Sequence, residues 1–125
     1  MASNRKFRFG PVALTTTLTT NLLNCAITSV AGPVGFTATQ PYMLLTRIHV
    51  SNKSAAVATY SLWIGATGAN AAGTEFIGTA IPVLANGVSD WYSSGLRMDS
   101  TDFLVGGASA NSALTIEGEF ELGFA

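Results

Sequence analysis

Few side chains in this sequence are equipped for chemistry. There is one histidine, His49, and one cysteine, Cys25. A Ser-His-Asp relay would use His49 as its base. That residue sits in the alternating run YMLLTRIHVSN, two positions after Arg47, and no serine carries the flanking glycines of a nucleophile elbow. A thiol nucleophile would need the same histidine. Cys25 therefore reads as a small buried residue of an apolar strand, and one cysteine alone forms no internal disulfide. Asp99-Ser100-Thr101-Asp102 gathers oxygens that suit Ca²⁺, yet paired carboxylates in such a turn more often cap backbone N–H groups. Glu117, Glu119 and Glu121 share one face of a strand, spaced roughly 7 Å apart. With no aromatic platform beside them they read as a solvated acidic row, or as a row that receives a basic partner such as the arm of a neighbouring copy. The glycine-rich TGANAAG, residues 67–73, has no lysine and opens no helix, so it cradles no phosphate. The expectation is a protein with no catalytic residue, no metal site and no cofactor, hence not an enzyme.

Residues suited to binding are easier to find. Residues 1–10 form an arm in which Arg5, Lys6 and Arg8 are interleaved with Phe7 and Phe9, ended by Gly10-Pro11. Two aromatic anchors flanked by cations suit an extended peptide that docks on another subunit. Under this reading, deletion of residues 1–9 leaves the fold intact. Three cations are too few for a strong phosphate contact, and the remainder of the chain is acidic, so nucleic acid is not expected as a partner. Trp63 and Trp91 are candidate stacking platforms for a carbohydrate.

These residues need strands to hold them. Alternation of apolar and polar residues marks strands over residues 12–20, 22–30, 42–51, 55–65, 74–78, 80–84, 88–92, 96–98, 103–108 and 113–122. Residues 42–65 read as a hairpin closed by Ser51-Asn52-Lys53-Ser54. In its first strand Leu44, Thr46, Ile48 and Val50 are assigned to the core. Met43 and Leu45 fall on the opposite face, and in the second strand Trp63 does the same. That makes Met43, Leu45 and Trp63 a candidate protein interface on the body. In the last strand Leu114, Ile116, Gly118, Phe120 and Leu122 face inward, and Gly118 predicts a bulge or close contact with an aromatic ring. No amphipathic helix of ordinary length is present. The predicted fold is all-β, an antiparallel β-sandwich or jelly roll of about eight to ten strands, with an N-terminal arm over residues 1–10 and one domain over residues 11–125.

Composition bears on how the surface is used. Charged residues make up 10% of the 125-residue chain, against roughly 25% in ordinary soluble domains. Surfaces covered by neighbours are depleted of charge, and little charge leaves a free protein poorly protected from association. The segment after the arm is broken by threonines and is no signal-peptide core. No run reaches the ~20 apolar residues of a membrane helix. Synthesis in the cytoplasm without a signal peptide, and no membrane partner, are expected.

The pieces Ile48-His49-Val50-Ser51-Asn52, Leu62-Trp63-Ile64-Gly65, Ile81-Pro82, Trp91, Asp102-Phe103-Leu104-Val105 and the final strand over residues 114–119 resemble the small β-sandwich virion structural proteins of tailed bacteriophages. The resemblance spans about residues 42–120 and rests on strand cadence. It departs where a brief polar turn stands before Phe103 in place of the Gly-Asp common there. It implies a virion location and a capsid decoration (cement) protein that binds the major capsid protein on the outside of the shell and bridges its subunits. It also implies a homo-oligomer, with a trimer favoured, and no catalytic residues. A tail, tail-tip or fibre-associated role shares the same features, and a carbohydrate-binding β-sandwich is the reading from a different class.

Overall fold

The computed structural model describes residues 5–24, 29–31, 37–39, 41–99 and 101–124. Its strands are β1 (Arg5–Ala13), β2 (Asn21–Asn24), β3 (Ser29–Ala31), β4 (Thr37–Thr39), β5 (Pro41–Asn52), β6 (Ala58–Gly65), β7 (Ile81–Val83), β8 (Val88–Met98), β9 (Phe103–Ala108) and β10 (Leu114–Phe124). Eight of them build two four-stranded antiparallel sheets, ordered β1-β10-β5-β8 and β2-β9-β6-β7, while β3 pairs with β4. The molecule is an all-β sandwich, as the alternation predicts.

The core lies between the two four-stranded sheets. Leu45, Ile48, Val50, Met98, Leu114 and Ile116 of the first sheet are closed off from solvent, as are Leu62 and Leu104 of the second. The inward face of β6 is Ala58, Tyr60 and Leu62, with Ile64 partly buried beside them. Tyr60 reaches across the sandwich, and its hydroxyl lies 3.0 Å from Ser89 Oγ on β8.

Two expectations about residues 42–65 are corrected. The segment is not a hairpin: β5 is the third strand of the first sheet, and β6 belongs to the second. The connection crosses the sandwich, and Asn52 secures the crossing from a buried position. Its Nδ2 donates to the Ala56 carbonyl at 2.8 Å and the Val83 carbonyl at 3.0 Å. Its Oδ1 accepts from Ser54 N and Ser54 Oγ. The amide is fully used.

The second correction concerns which residues of β5 point inward. A bulge at Thr46 shifts the register against both neighbours: Leu45 opposes Phe120 and Arg47 opposes Glu119 on β10, and the shift against β8 falls at the same place. Side chains alternate strictly along a regular strand, so one extra residue inverts the pattern. Ile48 and Val50 face inward as expected, whereas before the bulge Met43 and Leu45 are the buried residues. Thr46 donates its hydroxyl to the Glu119 carbonyl at 3.1 Å.

Glycines allow close approach at two places. Gly118 is buried in β10, and an added Cβ would meet the Arg47 carbonyl oxygen and, at 2.5 Å, Phe9 Cε1. The ring of Phe9 thus occupies the room a side chain would take, as the inward glycine predicted. A Cβ on Gly107 would meet the Thr15 and Thr17 carbonyls at 2.6 and 2.8 Å. Residues 14–20 run along β9 past the end of β2, with Ala108 N donating to Thr15 O and Gly106 N to Thr20 O. This segment, expected as a strand, is a loop held by backbone bonds. Residues 74–78 likewise contribute only a bridge from Glu75 to Trp63. The predicted strands over residues 88–92 and 96–98 are one strand, β8, with its register shifted between them.

Candidate functional site

The arm residues come first. Residues 5–9 lie in β1, an edge strand of the first sheet, antiparallel to the chain's own β10, with Lys6 opposite Glu121 and Arg8 opposite Glu119. The peptide does add a strand to a sheet edge, and the sheet is its own. Phe7 stacks on Phe120 with ring centroids 5.6 Å apart and stays half exposed. Phe9 is buried over Gly118. Arg5 pairs through its backbone with Leu122. The expectation that residues 1–9 can be removed without loss to the fold is therefore corrected, because β1 supplies part of the core.

The candidate interface on the body is corrected as well. Met43, Leu45 and Trp63 are 5%, 0% and 6% exposed. The Thr46 bulge turns the first two inward. Trp63 does point to the outer face of its sheet, opposite Val105 on β9, yet the chain buries it. Trp91 is partly buried and meets Phe76 edge-on at 4.7 Å. Burial of Trp63 removes it as a platform for a carbohydrate, and Trp91 is only partly open. Cys25 lies outside the described residues.

The outer face of the first sheet collects most of the protein's charge. Its four strands carry columns of alternating sign: Lys6 and Arg8 on β1, Glu117, Glu119 and Glu121 on β10, Arg47 and His49 on β5, and Asp90 on β8. Arg47 bridges two acidic columns, 3.4 Å from Asp90 and 3.5 Å from Glu119. Its guanidinium lies 5.9 Å from the Tyr92 ring centroid. Arg47 is held above its ordinary pKa, first by the Tyr92 side chain and then by the charges of Asp90 and Glu119, with partial desolvation opposing. His49 Nδ1 sits 2.6 Å from Asp90 Oδ1. This His–Asp pair was not legible in the sequence, because it depends on the register between β5 and β8. It lies on an open sheet face, and its geometry is that of a cross-strand hydrogen bond.

The turn at residues 99–102 is capped from within. Asp102 Oδ2 accepts from Asp99 N at 2.8 Å, and Asp99 Oδ1 accepts from Arg97 Nε at 2.7 Å. Arg97 also covers the Tyr42 ring at 4.3 Å, and its pKa is raised, chiefly by the hydrogen bond to Asp99. Among the described residues no group of three or more His, Cys, Asp or Glu is placed to hold a metal ion. No helix there is long and apolar enough to cross a membrane.

A second surface is apolar and had no signal in the alternation. Val57, Leu84 and Val88 are 58%, 71% and 61% exposed. Val57 and Leu84 flank the paired residues Ala58 and Val83. Backbone bonds from Asn86 N to Ser54 O and from Asn52 N to Gly87 O bring the next turn alongside. Val57 and Leu84 therefore stand side by side next to that pair, while Val88 opens β8 on the same outer face as Asp90 and Tyr92.

No family model matches the chain, and no curated protein matches it. Among solved structures it is similar to Eiger TNF from S. frugiperda, at 9% identity and a TM-score of 0.39, covering 99% of this chain and 92% of that one. It is also similar to the Tobacco streak virus coat protein. The dimer structure gives 9% identity and a TM-score of 0.38, over 97% of this chain and 84% of that one. A second crystal form gives 8% and 0.39, over 98% and 85%. Similarities of this size carry nothing about function.

Proposed function

We propose that this protein is a structural component of a virus particle, a bacteriophage capsid decoration protein that binds the outer surface of the shell and stabilises it by bridging major capsid protein subunits. The observation that carries this reading is the exposed aliphatic pair beside the β6–β7 edge, Val57 and Leu84, on a chain with so little charge. Contiguous exposed apolar side chains mark surfaces that are covered in use, and depletion of charge is the mark of an interface centre. The cadence of residues 42–120 supports the same class. On this reading the protein performs no reaction. Many copies, each burying a modest area, add up through multivalency, and the copies themselves form an oligomer, with a trimer favoured.

The test is localisation and occupancy on purified particles. Imaging should place copies of the protein over the whole shell, and Leu84→Asp with Val57→Asp should lower particle occupancy by at least about tenfold, the equivalent of about 1.4 kcal/mol, at unchanged melting temperature. A few copies confined to the tail would favour the tail-associated reading. Absence from particles would remove both.

A further inference from the structure

The first sheet ends in two long edge strands, β1 with nine residues and β8 with eleven, whereas the edges of the second sheet, β2 and β7, have four and three. Natural sandwiches blunt their edges with short strands, because a long unpaired edge is a template for another chain. Among the described residues neither β1 nor β8 has a second partner strand. Their regular portions also match in length. In β1 residues 5–9 are in continuous register before the shift that precedes Val12. In β8 residues 88–92 are in continuous register before the shift that precedes Leu96.

Strand direction and charge then select the partner. All neighbours in this sheet are antiparallel, so β1 and β8 run in opposite directions. A second copy placed side by side in the same orientation sets its β1 antiparallel to β8 of the first, with inner and outer faces preserved. The alternation of sign continues across that junction in the regular portion of β8, residues 88–92, whose one charged residue, Asp90, meets basic β1. The two symmetric alternatives do the reverse. Pairing β8 with β8 sets Asp90 against Asp90, and pairing β1 with β1 sets Lys6 and Arg8 against themselves. Like charges directly opposite each other across strands are destabilising. Lys6 and Arg8 are exposed and make no ion pair among the described residues, so they are available to a neighbour. The register that sets Arg8 against Asp90 also sets Lys6 against Tyr92, which is 67% exposed, and Phe7, 44% exposed, against Trp91.

We propose that copies of this protein associate head to tail through the first sheet, β8 of one copy pairing antiparallel with β1 of the next. Such a heterologous contact closes into a ring or continues as a filament, and excludes a two-fold dimer through either edge. The inference specifies the contact behind the oligomer proposed above, and it is tested on purified protein without particles, so its failure is separate from failure of the particle reading.

The test is a charge-swap cycle read by sedimentation velocity. Wild-type protein should associate with rising concentration, and raising NaCl from about 50 to about 500 mM should weaken association on the order of tenfold, since exposed charges are screened. Lys6→Glu/Arg8→Glu and Asp90→Lys should each lose association when alone, because each then presents edges of one sign. An equimolar mixture of the two should recover it, since every contact between unlike variants is again of opposite sign. Recovery also shows that both variants are folded. If either variant fails to fold, wild-type protein carrying Cys25→Ser and either Lys6→Cys or Tyr92→Cys supplies the second measurement: disulfides should form between the two variants and within neither. A wild-type monomer at all concentrations, association indifferent to both swaps, or crosslinking of like with like would each overturn the proposal.

Discussion

Phe9 and Gly118 depend on one another. The ring lies where a Cβ on Gly118 would stand, so β1 is clipped to β10 by a side chain as well as by its ladder. Gly118→Ala should destabilise the protein by about 1–3 kcal/mol through overpacking, measured by chemical denaturation. Phe9→Ala in the same background should reduce that penalty by at least about 0.5 kcal/mol, the signature of coupled neighbours. Asn52 is the second residue whose loss should be felt widely. Asn52→Ala leaves the Val83 and Ala56 carbonyls without their donor, and should cost roughly 2–3 kcal/mol for the buried acceptor and the lost turn. Asn52→Asp should cost more, because a carboxylate oxygen would then face those carbonyls. Gly118 was legible in the sequence because a glycine on an inward face has few explanations. Asn52 was not, since a polar residue in a turn between strands gives no sign that the chain is crossing between sheets there.

At the scale of the element, the Thr46 bulge decides the use of β5. One added residue lets Met43 and Leu45 share the core with Ile48 and Val50. Deleting Thr46 should make β5 regular against β10 and leave Met43 and Leu45 facing inward, since Leu45 would then directly precede the outward Arg47, so a cooperative melting transition should survive. Thr46→Ser, which keeps both the residue count and the hydroxyl bonded to Glu119, should cost less than about 1.5 kcal/mol. The inner faces of β6 and β10 were readable because both strands alternate without interruption. β5 was readable only after its bulge, because a bulge leaves no mark on composition. The columns of charge were unreadable for a related reason. Each column is visible within its own strand, but their adjacency depends on the strand order β1-β10-β5-β8, which no local pattern specifies.

At the scale of the whole molecule, the exposed aliphatic side chains of the body are other than the body residues that the sequence singled out as an interface. Met43, Leu45 and Trp63 are buried, while Val57, Leu84 and Val88 are exposed. β1 belongs to the sandwich, so removing residues 1–9 should lower stability by at least about 2 kcal/mol through loss of the buried Phe9 alone, read as a lower melting temperature. Loss of particle binding in that deletion would therefore not isolate a docking arm, whereas Lys6→Glu/Arg8→Glu changes the edge and keeps the strand. The strand order has one more consequence, for synthesis. β10 stands between β1 and β5, yet it is the last of these strands to be made. Until residues 114–124 have left the ribosome, the two strands that will flank it have a gap between them, and contacts of such long sequence separation form slowly. Assembly of the first sheet must wait for β10 to emerge, and until then β1 and β5 flank an open slot one strand wide.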